Sequence, residues 1–407
     1  MEVVILPAEF YMRRQEVKQF RLIAVLIPLV MFSPLAIDIF LPAMPTMAGV
    51  FKADTVHVQW SITVFIFSLG LGQLILGPIS DRIGRRPVVL FGIALYMLSA
   101  FVVSQVNTLP LHLMVRFFQG LATCAIVVGV FASVTDRFNA VESSKVYSYL
   151  NGVLFCVPAL APILGYYLMS TYGWQSTFIF LGMFALVIGF VAYKGFHESN
   201  LTLQPKKPIF AVSNYKPVLL TPSFIYYSTI VMLSMASITA FVSTAPNVFA
   251  ERYHLPPETF TFWFSINAIA IIAVSFVMPK LLDKYSINGI IKVGMAMVVV
   301  SGFLLLGLSH NDDVIYYMLP VILCSAGFAL ATGTCVGKAL APFKANAGVA
   351  TALLGVIQMS VSALLVTLLQ ALSLSAVEQM MVYSFAVLPL LMLKLFSPKF
   401  RASIGYS

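Results

Sequence analysis

"GPISDRIGRR", residues 77–86, is a short basic turn between two apolar runs, 57–79 and 87–106. Each run is long enough to cross ~30 Å of hydrocarbon as a helix. "PKLLDKYSING", residues 279–289, stands in the same setting much later in the chain, with Asp283-Lys284 in the place of Asp81-Arg82. The second copy lacks the turn glycine and the paired arginines. A turn that recurs between equivalent apolar runs indicates a duplicated membrane domain.

The rest of the chain fits that reading. Its 407 residues are 60% hydrophobic and 10% charged, with a mean hydropathy of +0.95. A soluble domain would carry about 25% charged residues. Apolar runs fall at 20–44, 57–79, 87–106, 110–134, 146–168, 174–195, 218–247, 259–280, 289–309, 315–337, 347–370 and 377–396. The first follows Arg13, Arg14, Lys18 and Arg21, but its length and the eleven runs after it mark it as a retained span rather than a signal peptide. Met12 is an alternative start, and residues 1–11 carry no interpretable pattern.

The expected fold is therefore an all-α membrane protein, with twelve transmembrane helices in two pseudo-symmetric six-helix bundles. The bundles occupy 20–195 and 218–396, joined by a cytoplasmic linker, 196–217, rich in proline and lysine. An N-terminal segment, 1–19, and a tail, 397–407, lie on the cytoplasmic side. The orientation follows from charge. Of 24 Lys and Arg, all but Lys52, Arg252 and Arg116 fall in segments or helix ends on the side of the termini. That bias places both termini in the cytoplasm. The net charge of +9 is thus distributed along membrane ends, and no nucleic-acid partner is expected. Trp60, Trp174 and Trp263 each open an even-numbered span at the outer face, where interfacial anchors belong. The four cysteines lie in spans without metal-ligand spacing, and no metal is expected. The five histidines fall at loops or helix ends, so none is assigned to proton transfer.

One residue breaks the apolar pattern. In "SPLAIDIFLP", residues 33–42, Asp38 is the single acid set well inside a span. A charge at the bilayer centre costs at least ~2.5–3.5 kcal/mol, so an acid placed there is a candidate functional group. Arg116, in the fourth span, is its basic counterpart. Counting ~1.5 Å per residue along each helix places the two at similar depth, and a pair is expected. A neighbouring cation and desolvation act in opposite senses on a carboxyl group's hold on its proton. A cavity opening to alternate sides can use that balance to load and release a proton.

The ten-residue pattern of Gly77, Asp81, Arg82, Gly84, Arg85 and Arg86 resembles the signature of the major facilitator superfamily. Gly77 is expected to permit close helix approach, Gly84 a tight turn, and Asp81 a contact that latches the halves in one conformation. "RFFQG", with Arg116, Gln119 and Gly120, resembles a motif of the same superfamily. The fifth span, with Gly152, Pro158, Pro162 and Gly165, resembles its antiporter motif, although Ala161 and Tyr166 stand where glycines are usual. Prolines there free backbone carbonyls and bend the helix.

Together with "IDIFLPAMP", "APILG", "GWQSTF" and the small-residue eleventh span, these stretches are similar to the Bcr/CflA-type drug-efflux family. The resemblance implies a proton-coupled antiporter exporting small amphipathic drugs or toxic compounds across a bacterial inner membrane. It would use the proton gradient and no cofactor, and a monomer is expected. A dedicated exporter of one metabolite or siderophore, using the same machinery, is the alternative. In the seventh span, a polar-aromatic stripe of Tyr226, Tyr227, Ser234, Ser237, Thr239, Thr244 and Asn247 offers Tyr226, Tyr227 and Ser234 as cavity residues. With Gln119, Asn151, Asn267 and Gln358 it supplies the expected substrate cavity. No clustered acids and histidines, nucleophile elbow or phosphate loop suggests an enzyme.

Overall fold

The computed structural model describes residues 23–138, 140–199 and 212–397. It contains twelve helices long and apolar enough to cross a membrane. They are α1 (Ile23–Phe51), α2 (Thr55–Ile83), α3 (Arg85–Gln105), α4 (Leu109–Arg137), α5 (Ala140–Tyr172) and α6 (Gln175–Gly195) in the first half. The second half contains α7 (Pro222–Arg252), α8 (Pro257–Lys284), α9 (Ile287–Leu308), α10 (Val314–Phe343), α11 (Val349–Ala371) and α12 (Ala376–Phe396). Successive helices alternate in direction. One end of the bundle thus gathers the basic turns (the basic end), and the other gathers Trp60, Trp174 and Trp263 (the tryptophan end).

The halves pack alike. In the first, α2 lies on α4, and α3 on α4 and α6; in the second, α8 lies on α10, and α9 on α10 and α12. Their interface is formed mainly by α2 against α11 and α5 against α8. Large apolar side chains such as Phe91, Leu98, Phe190 and Phe276 point outward, as a surface solvated by lipid requires.

Three departures from regular helix matter. α1 is interrupted: a helix ends at Asp38, a 3-10 turn spans Leu41–Ala43, and helix resumes over Met44–Phe51. Pro42 and Pro45 explain the break, because neither can donate to the carbonyl four residues before it. α7 ends in a π turn at Val248–Arg252, and α11 contains one at Val356–Val361. Near the linker, a separate short helix, Val212–Leu219, precedes α7, where the sequence suggested continuous span from 218. Its Pro217 and the Thr221-Pro222 start of α7 account for the division.

The polar ties between halves run from the tryptophan end to mid-depth. Gln370 Nε2 donates across the interface to Gln59 Oε1 at 3.0 Å, and within its own half to Ser243 Oγ at 3.2 Å. Thr367 and Thr63 meet at 3.0 Å, Ser360 donates to the Phe67 carbonyl at 2.8 Å, and Ser265 to that of Ala159 at 2.8 Å. Among the described residues, the tie nearest the basic end is Gln73 to Met359, at 3.6 Å. The polar ties between the halves thus gather toward the tryptophan end.

This interface is expected to hold the halves together once the linker is cut. A protease site inserted within residues 200–211 and cleaved in mild detergent should leave one species on size exclusion, containing both fragments. Separation of the fragments would refute this account of the assembly.

Candidate functional site

The site begins at the break in α1. Where the helix stops, carbonyl oxygens lose their partners and need others. Arg116 of α4 supplies one: its Nη2 donates to the Ala36 carbonyl at 3.0 Å. Its Nε donates to the Ser61 carbonyl of α2 at 3.2 Å, and its Nη1 to Gln119 Oε1 at 2.6 Å. The guanidinium is fully buried, 4.8 Å from the Phe40 ring centroid, 4.5 Å from Phe65 and 5.9 Å from Phe178. Three helices thus converge on one cation.

Asp38 does not pair with it. The two agree in depth, as the residue count suggested, since Arg116 grips the backbone two residues from Asp38. Yet no ion pair joins them among the described residues, because the guanidinium is directed to carbonyls and Gln119 instead. Asp38, 4% exposed, makes no hydrogen bond among the described residues and lines a cavity of about 240 Å³ between the halves. Ser33, Pro34 and Ile37 of α1, Ile66 of α2, and Leu154 and Pro158 of α5 form its first-half wall. Across from them stand Met235, Ile238, Thr239 and Val242 of α7, with Phe264, Asn267, Ala268 and Ile271 of α8. The lining is almost wholly apolar. Thr239 Oγ1 and Asn267 Oδ1 are buried without a protein partner. Such atoms call for water or a ligand.

The other expected cavity residues are dispersed. Asn267 lines the cavity, and Gln119 serves Arg116. Tyr226 and Tyr227 lie toward the basic end, with the Lys394 ammonium 5.8 and 5.1 Å from their ring centroids. Tyr226 also donates to the Leu390 carbonyl at 2.9 Å. Ser234 is buried on α7 outside the lining. Gln358 sits in the π turn of α11 and is likewise outside it. The Asn151 side chain lies outside the described residues.

Three further residues stand at the helix ends that the sequence reading gave them but are buried there. Lys394, placed at a helix end by sequence, is fully buried, as is His112. His112 Nε2 is 2.8 Å from Ser61 Oγ, and the ring packs between Phe51 and Phe178, with centroids at 5.2 and 5.8 Å. Trp174 is not an interfacial anchor: it is 3% exposed and packs on Phe51 and Phe178.

In α5, Pro158 lines the Asp38 cavity, Pro162 is buried, and Gly152 borders a separate apolar cavity of about 630 Å³. Gly165 is pressed against α1, where an added Cβ would stand 1.7 Å from the Ile39 carbonyl oxygen.

At the basic end, the 77–86 turn forms a charged network. Arg85 bonds Asp81 Oδ1 at 2.5 Å and Asp136 Oδ2 of α4 at 3.0 Å, and donates to Ser80 at 3.2 Å. Glu198, beyond α6, accepts from the backbone N–H groups of Arg85 and Arg86 at 2.9 and 3.0 Å. A carboxylate at the first turn of α3 satisfies otherwise unpaired donors and complements the helix dipole. Gly84, at φ +103°, makes this possible: a Cβ there would lie 2.4 Å from Glu198 Oε2. Ser199 donates to Asp136 at 2.9 Å, and Arg86 to the Tyr193 carbonyl at 2.8 Å. These bonds join parts of the first half. Gly77 shows no close approach, since a Cβ there would meet nothing within 4 Å among the described residues, and no bond to Arg82 is described. Asp136 and Glu198 were not evident from sequence, because their partners are distant in the chain.

Comparison with known proteins agrees with this architecture. A multidrug resistance protein, MdtL, of Klebsiella pneumoniae is 28% identical over 352 residues, covering 86% of this chain and 89% of that protein. The MdtL of Salmonella heidelberg is 27% identical over 352 residues, covering 86% of this chain and 88% of its own length. Among solved structures, a D-xylose–proton symporter superposes with a TM-score of 0.75 at 15% identity, covering 94% of this chain and 98% of that one. The human organic anion transporter MFSD10 gives 0.69 at 14% identity, covering 92% and 99%. At such identities these two likenesses establish the fold alone. The Major Facilitator Superfamily pattern matches residues 26–397, and the chain belongs to that superfamily: it is a membrane transporter and not an enzyme.

Proposed function

We propose that this transporter is a proton-coupled antiporter that exports small amphipathic drugs or toxic compounds by alternating access. The observation that carries the reading is Asp38, a buried acid that has no partner among the described residues and lines an apolar cavity between the halves. The names of the MdtL relatives support the drug class. The almost wholly apolar lining favours an amphipathic cargo over a strongly polar metabolite. The basic end is the cytoplasmic side of a bacterial inner membrane, and the tryptophan end faces outward. With the polar ties gathered toward the tryptophan end, the conformation described here takes up cargo from the cytoplasm.

The chemistry asked of the chain is small. Asp38 accepts a proton when the cavity opens outward and gives it up when the cavity opens inward. Cargo enters from the inner side. Because Arg116 is engaged elsewhere, access of water to the cavity controls the carboxyl group. Arg116 keeps the break in α1 rigid, so that Asp38 stays at the cavity wall.

The charged network at the basic end is the proposed conformational latch: assembled in this state, it is rearranged when the basic end closes. Asp81→Asn and Asp136→Asn should slow turnover about ten-fold while leaving ligand affinity within about two-fold, since each alters a conformational equilibrium and not the cavity. Binding and transport measured on the same purified variants check this. Parallel loss of both in a normally folded protein would count against it.

A single embedded acid implies one proton exchanged per cycle. Export of a monovalent cation then moves no net charge, whereas export of a neutral compound moves one charge inward. Only the latter draws on membrane potential, worth ~2.3 kcal/mol per charge per 100 mV. In proteoliposomes with an imposed potential and no pH gradient, a neutral substrate should accumulate and a monocation should not. Asp38→Asn should abolish proton-driven accumulation but spare binding of neutral compounds. Equal potential-driven accumulation of both substrates would overturn the one-proton scheme.

A further inference from the structure

Two consecutive residues of α5 face different partners. Tyr166, which stands where the antiporter pattern usually ends in glycine, donates its hydroxyl to Glu258 Oε1 in the first turn of α8. That bond crosses from one half to the other near the tryptophan end. Gly165, beside it, touches the Ile39 carbonyl of α1, and Ile39 directly follows Asp38. One turn of helix thus holds both the opposite half and the backbone next to the acid.

α5 is also poised to move. It packs more extensively on α8, across the interface, than on α6 of its own half. Behind it the apolar cavity of about 630 Å³ opens to the lipid face, where Cys156 and Leu160 are exposed beside Val153, Phe180 and Phe184. On that side α5 borders lipid and not close-packed protein, so it can shift with little steric resistance.

We propose that the Gly165–Tyr166 turn couples the seal at the tryptophan end to the position of Asp38. The inference rests on the export reading above and gives it a mechanical link. While the Tyr166–Glu258 bond holds, α5 stays on α8 and Gly165 braces the broken segment of α1. When the bond parts, α5 withdraws, the brace leaves Ile39, and Asp38 becomes reachable from the tryptophan end. Tyr166 and Glu258 are positioning residues and do not touch the cargo.

A double-mutant cycle tests this in the full-length chain in proteoliposomes. Tyr166→Phe removes the hydroxyl and keeps the ring; Glu258→Ala removes the acceptor; Glu258→Gln retains an acceptor oxygen. The first readout is proton leak without substrate, followed with an entrapped pH dye. The second is the distance between spin labels at Thr171 and Glu251, exposed positions in opposite halves, in a cysteine-free background. Tyr166→Phe and Glu258→Ala should each raise the leak about five-fold, as loss of one hydrogen bond would shift a population, and lengthen the distance. The double variant should do no more than either single one. Glu258→Gln should stay within about two-fold of wild type, and substrate affinity should be unchanged throughout. Additive effects, an unaltered leak in Tyr166→Phe, or a glutamine variant as leaky as the alanine one would overturn the proposal. Failure of the export reading looks different: the unmodified protein would show no substrate-driven proton movement, while the distance cycle would still report on the bond.

Discussion

Everything near the centre of this protein depends on how one buried guanidinium is satisfied. Arg116 is enclosed by three phenylalanine rings, with no access to water. A charge in such a place is tolerated only when its donors are occupied, and removing a partner from a buried charge costs about 3–5 kcal/mol. Regular helix supplies one partner, the Ser61 carbonyl of α2, through a second lone pair, and Gln119 supplies another. The interruption of α1 by Pro42 and Pro45 releases carbonyls, and Arg116 takes the one at Ala36. Break and cation therefore stabilise each other. Asp38 ends the helix at that break, which directs it into the cavity between the halves.

Much of this was legible in the sequence. Hydropathy alone located the twelve spans, with ends shifted by a few residues, and the repeated turn revealed the two halves. Sequence count also placed Asp38 and Arg116 at one depth. What it could not provide was rotation about each helix axis, which decides whether two groups at equal depth face each other. Trp174 illustrates the same limit: it opens a span, as an interfacial anchor would, but its face of α6 turns toward Phe51 and Phe178. For Lys394 a signal was present. Its neighbours in "LLMLKLF" are apolar on every side, and no face of that helix end offers it solvent.

The duplicated turn shows how the halves have diverged. In the first half, a distant carboxylate, Glu198, caps the N-terminus of α3. In the second, Ser286 caps α9 from its own chain neighbourhood by accepting from the Gly289 N–H at 3.1 Å. Both solutions satisfy the same exposed donors, so the fold is kept. Among the described residues, only the first binds its turn to another helix through charge. The polar content of the first half is thus concentrated in a network that spans several helices, whereas the cavity itself stays apolar.

The ties toward the tryptophan end have a consequence for the environments in which the transporter works. Gln59 with Gln370, Thr63 with Thr367, and Ser360 with the Phe67 carbonyl are bonds between uncharged groups. The Arg85–Asp136 pair, by contrast, lies at the basic end. Dissolved salt screens exposed ion pairs over a Debye length of about 8 Å at physiological strength, but it hardly affects buried neutral hydrogen bonds. In the orientation proposed, the partly buried ion pair lies at the cytoplasmic end and these neutral ties lie toward the outer one. The neutral ties would therefore hold alike in dilute and saline media, which leaves the exposed Tyr166–Glu258 bond as the part of the outer closure that salt can reach.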